Sequence, residues 1–309
     1  SHPVPADAII VVSGESIQKA LDQAAGKNRV VLAKAGLHTL PGTLRFPSGV
    51  TLSGEGVSTV LWVDPASGER DAIVNAAPDL HDITIRDLVV EGSVKIDRGT
   101  DPNSSRSFKN EGNRGGIIFR ANVDGEMKKL HFVNLTVRNC TYNGVFIAGA
   151  ASMEFNSCDF DENGSSVIPG PKLQHNLLLS HCEDITVTNS RFDTSPYGAG
   201  ISLIHCSRVK ISGSEIARNA YYGVQIAESK HISITGCLVE ANDRSGIMME
   251  YLYFGNKEVN ISHNTIWFNG GFAVETYAGK NINVYGNLTK LNGAGKQEIF
   301  IGQKKMIME

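Results

Sequence analysis

Two glutamates in the repetitive C-terminal half of this 309-residue chain follow short apolar strands in successive repeats. Aligned on the glycines that lead those strands, Glu250 and Glu275 fall in one outward row of adjacent strands, about 5 Å apart. Carboxyl groups at that distance suit the acid and the nucleophile of a retaining glycosidase. The alternative is that Arg244, Lys257 or solvent neutralises the charge of the two glutamates, which then have no catalytic role.

A second set of residues suits proton abstraction next to a carboxylate. His175 titrates near neutral pH, and Tyr221 or Tyr222 can give or take a proton. Arg244 can hold a carboxylate with two hydrogen bonds. These residues predict β-elimination or epimerisation of a uronate, and a loop histidine with sheet-surface tyrosines is the alternative. Substrate contacts are expected from Arg114, Arg120, Tyr142, Asn143, Gln174, Tyr251 and Tyr277.

A further row, where each strand enters its turn, contains His181, His205, Glu228 and Tyr251. His and Glu side chains can hold a divalent metal, but a row in straight register rarely gives closed tetrahedral geometry. We therefore expect a hydrogen-bonded ladder there, with neither a metal nor a cofactor.

The elements that carry these residues repeat with a period of about 23 residues, as in GISLIHCSRVKISGSEIARNAYY and the unit that follows it. Each unit opens with a glycine and a short apolar strand and has no long helical pattern. This periodicity predicts a solenoid of strands that forms one domain over residues 1–309. We expect an N-terminal strand and capping helix in 1–29, the coils in 30–295 and a C-terminal end in 296–309.

Two rows of the alignment predict the interior of the coils. A turn row rich in asparagine predicts a ladder of side-chain amides: Cys140, Asn163, Ser195, Asn219, Asn242, Asn269 and Asn292. The inward positions of the glycine-led strands predict an apolar core: Ile117/Phe119, Val145/Ile147, Leu177/Leu179, Ile201/Leu203, Val224/Ile226, Ile247/Met249 and Phe272/Val274.

The segment Glu15–Gly26 has an apolar face and Ser16 as a cap, which predicts a helix that closes the N-terminal end. The five cysteines are odd in number and follow the repeat, so we expect core thiols. Cys182 and Cys206 lie at matching places in adjacent coils. Stacked free thiols are favoured there over a disulfide.

Three insertions interrupt the repeat, at residues 94–115, 164–175 and 250–258. One interpretation is that these loops form the sides of a groove over the glycine-led strands. The other is that they are surface insertions that the solenoid accommodates without a function. The net charge of −3 does not favour nucleic acid as a partner, and no apolar run is long enough to span a membrane. The sequence does not predict the oligomeric state.

The units GVQIAESKHISITGCLVEAN and GIMMEYLYFGNKEVNISHNTIWFN resemble the repeats of the pectin-lyase-like superfamily, from His81 to about Gly295. The resemblance implies an all-β, single-stranded right-handed parallel β-helix, a secreted or periplasmic bacterial location, and a polysaccharide or oligosaccharide partner. The aspartate motifs of polygalacturonase-type hydrolases and the DPHD motif of β-helix alginate epimerases are absent. A lyase or epimerase is our first expectation, a hydrolase the second, and a non-catalytic glycan-binding or adhesin-like module the third.

Overall fold

The computed structural model describes residues 2–64, 70–92, 115–164, 174–295 and 297–302. Within those ranges the chain winds through three parallel sheets, here called front, back and side, and forms one α-helix. The front sheet consists of β4 Leu44–Phe46, β7 Ile73–Asn75, β9 Ile117–Arg120, β11 Val145–Ala148, β14 Leu177–Ser180, β17 Ile201–Ile204, β20 Val224–Ala227, β23 Ile247–Glu250, β26 Val274–Tyr277 and β29 Ile299–Gly302.

The other two sheets share two long strands. The back sheet consists of β1 Ile9–Val11, β2 Arg29–Ala33, β5 Val50–Ser53, β8 His81–Glu91, β10 Met127–Arg138, β12 Ala150–Asn156, β15 Glu183–Thr188, β18 Ser207–Ser212, β21 Lys230–Thr235, β24 Lys257–Ser262 and β27 Lys280–Tyr285. The side sheet consists of β3 Gly36–Leu40, β6 Thr59–Val63, the second halves of β8 and β10, β13 Asp159–Asp161, β16 Arg191–Asp193, β19 Glu215–Ala217, β22 Leu238–Glu240, β25 Thr265–Trp267 and β28 Leu288–Lys290.

The corner between the back and side sheets is a row of residues in the left-handed conformation. Asp87 bends β8 with φ 55°, and Asn134 bends β10 with φ 45°. Later coils place Asn189, Gly213 and Gly236 at the same corner. Asn, Asp and Gly adopt this conformation most readily, which is why the repeat carries them at these positions.

Alternation along each strand builds the interior. In β21, Ile232 and Ile234 are buried, whereas the alternate residues Ser233 and Thr235 are partly exposed. Parallel register then stacks equivalent residues at about 4.8 Å. Six fully buried phenylalanines follow one another along the axis with ring centroids 4.8–6.4 Å apart: Phe46, Phe119, Phe132, Phe155, Phe160 and Phe192.

The predicted asparagine ladder is confirmed in the later coils. The backbone N–H and the amide of Asn219 both donate to Oδ1 of Asn242, at 3.1 and 2.9 Å, and Asn242 donates in the same way to Asn269. Ser195 is too short to continue the row. The amide of Asn176, which occupies a position that is glycine in most coils, bridges the gap from Asn163 to Asn219.

The capping helix α1 is confirmed as Ile17–Ala24, somewhat shorter than expected. Ser16 accepts a hydrogen bond from the N–H of Lys19 at 3.1 Å, and the apolar face of the helix is buried at the N-terminal end of the coils. All five cysteines are buried free thiols, as expected. At the other end, β29 pairs with β26, so the front sheet continues beyond residue 295. None of the helices among the described residues is long and apolar enough to cross a membrane.

Candidate functional site

The front sheet places Glu250 and Glu275 in different rows. Glu275 pairs with Met248, and Glu250 pairs with Ala227. The predicted shared row, and the spacing of about 5 Å derived from it, are therefore wrong. The two glutamates are diagonal neighbours on adjacent strands, and ordinary strand geometry sets their Cα atoms about 8 Å apart.

The error is a slip of two residues in the last coil. Strand β26 begins at Val274, so its inward pair is Val274 and Thr276 instead of the predicted Phe272 and Val274. Because side chains alternate with period two, such a slip keeps every residue on its expected face and leaves no trace in the apolar pattern. The asparagine ladder gives the correct register, since Val274 follows Asn269 by five positions just as Ile247 follows Asn242.

Two hydroxyl groups orient the carboxylate of Glu275, whose side chain is outward on β26 yet buried. Tyr277 donates to its Oε1 at 2.6 Å, and Ser245 donates to its Oε2 at 2.8 Å. The Ser245 oxygen accepts the N–H of Phe272 at 3.0 Å. Both carboxylate oxygens are thus fixed by groups from two adjacent coils.

Glu250 is more deeply buried, with 3% of its surface exposed. The amide of Gln225 donates to its Oε2 at 2.9 Å, and the Oε1 of Gln225 accepts the hydroxyl of Ser202 at 3.4 Å. Gln225 belongs to the same row as Met248 and Glu275. Sequence reasoning missed Gln225, Ser245 and Met248, which the ladder register would have placed beside the glutamates.

An arginine and two tyrosines lie at the turns that lead into strands β20 and β23. The rings of Tyr221 and Tyr222 have centroids 4.3 Å apart. The guanidinium carbon of Arg244 lies 4.8 Å from the Tyr221 centroid and 5.9 Å from that of Tyr222. Tyr222, Met248 and Tyr277 form a small buried cluster. Tyr221, Tyr251 and Phe300 pack against it.

We call the set Tyr221, Tyr222, Arg244, Glu250, Glu275 and Tyr277 the tyrosine–glutamate cluster. Burial raises the pKa of Tyr221, and the nearby charge of Glu250 raises it further. Burial also raises the pKa values of Tyr222 and Tyr277, the latter with a contribution from its hydrogen bond to Glu275. All three phenols are therefore protonated at neutral pH and act as hydrogen-bond donors.

His175 does not belong to this cluster. It lies before β14, two strands from β20, and is 1% exposed. Its ring Nδ1 accepts the backbone N–H of Ala199 at 2.9 Å, and the backbone N–H of His175 donates to Oδ1 of Asn143 at 2.7 Å. Burial lowers the pKa of His175 to about 3. His175 and Asn143 therefore make contacts that hold adjacent coils together, and the neighbouring Gln174 is buried as well.

The remaining predicted contact residues are spread along the front sheet. Tyr251 packs against the cluster. Tyr142 precedes β11 and is partly exposed. Arg120 ends β9, where its guanidinium carbon lies 5.1 Å from the Phe146 ring. Arg114 lies outside the described residues, as do most of the first two insertions.

The turn row holds structural contacts. The rings of His181 and His205 stack with centroids 4.7 Å apart. The carboxylate of Glu228 accepts the backbone N–H groups of residues 252–255, at 2.7–3.1 Å. These bonds fix the third insertion as an ordered loop. In the described part of the chain, no three His, Cys, Asp or Glu side chains are grouped so that they could hold a metal.

Comparison with known proteins supports this architecture. Residues 115–289 match the family model described as "Right handed beta helix region". Among solved structures, the Streptococcus pneumoniae surface adhesin PfbA is similar, with a TM-score of 0.70 at 14% identity. The match covers 94% of this chain and 82% of the adhesin chain. The Yersinia enterocolitica Family 28 exopolygalacturonase has a TM-score of 0.63 at 11% identity, and the match covers 96% of this chain and 69% of that chain.

The ORF18 protein of Geobacillus virus E2 is also similar, with a TM-score of 0.65 at 12% identity. It covers 97% of this chain, which spans only 62% of the viral chain. Comparison with curated protein sequences finds no match. At these identities the structural likeness establishes the fold alone.

Proposed function

We propose that this chain, which belongs to the right-handed β-helix family, is a glycoside hydrolase that uses Glu250 and Glu275. The observation that carries the proposal is that two buried carboxyl groups on adjacent strands share one cluster with Arg244 and three tyrosines. A carboxyl pair beside aromatic and hydrogen-bonding side chains meets the requirements of glycosidic bond hydrolysis.

The two carboxyl groups have different surroundings, and we assign them different roles. Both oxygens of Glu275 accept hydroxyl hydrogen bonds, so it takes the carboxylate role. Glu250 takes the proton-donor role and protonates the glycosidic oxygen as its bond to C1 breaks. An inverting mechanism needs space for a water between its two carboxyl groups, which a diagonal pair suits better than a pair in direct register. We assign that water the role of adding to C1 as Glu275 removes its proton. The expected stereochemical outcome is inversion.

The tyrosines and Arg244 supply the sugar-binding surface. Stacked rings offer apolar faces to a pyranose, and protonated phenols donate hydrogen bonds to its hydroxyl groups. With Glu250 protonated as the acid, the cluster holds one carboxylate and one guanidinium, so its net charge gives no preference for an acidic sugar at the cleavage point.

Proton abstraction, our first expectation from the sequence, has less support. The base that it required, His175, is buried in the coil wall, with a pKa of about 3. The alternative bases, Tyr221 and Tyr222, have raised pKa values and keep their protons at neutral pH. Elimination or epimerisation would need a base other than His175, Tyr221 and Tyr222.

The proposal is tested by incubating the protein with a panel of neutral and acidic glycans and analysing the products. A hydrolase releases reducing ends without ultraviolet absorption from an unsaturated sugar. Unsaturated product would replace the proposal with a lyase, and binding without turnover on every glycan would replace it with an adhesin-like module. The same substrates lead us to propose an extracellular or periplasmic location.

A further inference from the structure

Three lysines stand in direct register on the back sheet. Lys230, Lys257 and Lys280 are the first residues of β21, β24 and β27, and each pairs with the next. All three side chains are exposed. Adjacent strands lie about 4.8 Å apart, so this lysine row places like charges side by side, which is destabilising.

Neighbouring charges on the same face are paired, whereas the lysine row is not. Upstream in the same row, Glu183 pairs with Arg208 at 2.8 Å. One residue along, His231 lies 2.8 Å from Glu258. Among the residues that the structure describes, none of the three lysines has a carboxylate oxygen within 4.0 Å.

A cavity of about 330 Å³ opens beside the row. Lys230 and Lys257 line one part of it, His205 lies on its wall, and Phe254 closes another part. The Phe254 side chain is 77% exposed. The cavity thus combines two unpaired ammonium groups with an aromatic ring that is open to solvent.

Glu228 makes the aromatic wall rigid. Its carboxylate accepts the N–H groups of Leu252, Tyr253, Phe254 and Gly255. Those four bonds order the loop that carries Phe254. They also occupy both oxygens of Glu228, the one carboxylate among the residues that line the cavity, so its negative charge stays on the loop side beside the two lysines.

We propose that this lysine-row pocket binds an acidic saccharide. The ammonium groups of Lys230 and Lys257 bind the carboxylates or sulfates of the saccharide, and Phe254 packs on a sugar ring. A nucleic acid is less well matched, because the row is short and the whole chain carries a net charge of −3. The pocket lies outside the tyrosine–glutamate cluster and does not depend on hydrolysis.

The test is calorimetric titration of the full chain with hexagalacturonate and with maltohexaose as the neutral probe. All titrations use Glu250→Gln, which prevents turnover at the tyrosine–glutamate cluster. We expect saturable binding of hexagalacturonate that weakens with added salt, whereas any binding of maltohexaose should be the same with and without the two lysines. The double variant Lys230→Gln/Lys257→Gln should lose about tenfold or more in affinity for hexagalacturonate, since each charge-assisted hydrogen bond contributes substantially. Lys210→Gln removes an exposed lysine from the same sheet outside the pocket and serves as the control.

Phe254→Ala should weaken the same binding, whereas Tyr253→Ala, in the same loop but not lining the cavity, should leave it unchanged. Thermal unfolding of Lys257→Gln should occur at the same or a slightly higher temperature, because a like-charge contact is removed.

Equal affinity for hexagalacturonate with and without the two lysines would overturn the proposal. Tighter binding of a 20-base-pair DNA or of phosphatidylserine vesicles than of hexagalacturonate would also overturn it.

Discussion

The hydroxyl of Tyr277 donates a 2.6 Å hydrogen bond to Glu275, two residues earlier on the same strand. Both side chains point outward from β26, so the bond runs along the outer face of the front sheet. It joins the aromatic part of the tyrosine–glutamate cluster to one of its two carboxyl groups. The first prediction follows from this contact.

Tyr277→Phe should lower kcat/KM about 10–100-fold, because it removes a hydrogen bond to a charged group that contributes about 1.5–3 kcal/mol. Steady-state kinetics on the hydrolysed glycan measure the effect. Tyr285→Phe, which changes a tyrosine with 55% exposure on the back sheet, is the control and should leave activity unchanged. An unaltered kcat/KM in Tyr277→Phe would remove this tyrosine from the mechanism.

Arg244 lies over two tyrosine rings and should act mainly in substrate binding. Arg244→Ala is expected to raise KM about 10–100-fold with a smaller change in kcat, because it removes a charged hydrogen-bond donor to the sugar, a contact of about 1.5–3 kcal/mol. Arg244→Lys should restore the binding only in part, because a compact ammonium lacks the planar stacking surface. Full rescue by lysine would show that charge alone matters at this position.

The asparagine ladder should contribute strongly to stability. Asn242→Ala leaves the buried amide of Asn219 and the carbonyl of Ile216 without their partner, so we expect a loss of about 2–5 kcal/mol in the free energy of unfolding. Urea denaturation at neutral pH measures it. Asn283→Ala, at an exposed site, should change stability by less than about 0.5 kcal/mol. Similar effects of the two substitutions would contradict a structural role for the ladder.

His175 should make stability depend on pH. Its pKa falls from the ordinary value of 6.5 to about 3 on folding. Above pH 6.5 both states hold a neutral ring. Between pH 6.5 and about 3 only the unfolded state takes up the proton, so stability falls as pH falls. At pH 5 this single group should cost about 2 kcal/mol.

The measurement is thermal unfolding of the wild type and of His175→Gln at several values between pH 7 and 4.5. The variant should lose this part of the pH dependence even where its overall stability is lower. A wild-type profile that matches the variant's slope would contradict the burial of a neutral histidine.

The fold was predictable because every coil repeats the same physical requirements. Inward apolar residues, the amide ladder and the helix with its Ser16 cap all leave periodic or local signals in the sequence. The register of the last coil was not recovered, because a shift of two residues preserves the in and out pattern around Glu275. The bridging role of Asn176 also had no local signal, since it compensates for Ser195 in the next coil.

The candidate site was predictable in part. Repetition placed Tyr221, Tyr222, Arg244 and the two glutamates on one strip, and the structure brings them together. Their relative positions depended on side-chain packing between coils, which the pattern does not encode. His175 looked like a base because its residue type suits that role. Its burial follows from the Ala199 and Asn143 contacts, which only the three-dimensional arrangement shows.

The most direct test of the account is the product analysis of the wild type, Glu250→Gln and Glu275→Gln on the glycan that the wild type hydrolyses. NMR of the fresh product should show inversion at C1 for the wild type. Each variant should lose at least about 100-fold in kcat while its melting temperature stays close to the wild-type value, as the loss of general acid or base catalysis predicts. Glu258→Gln, at an exposed glutamate on the back sheet, should retain full activity. Hydrolysis that persists at the wild-type rate in both Glu250→Gln and Glu275→Gln would contradict the account.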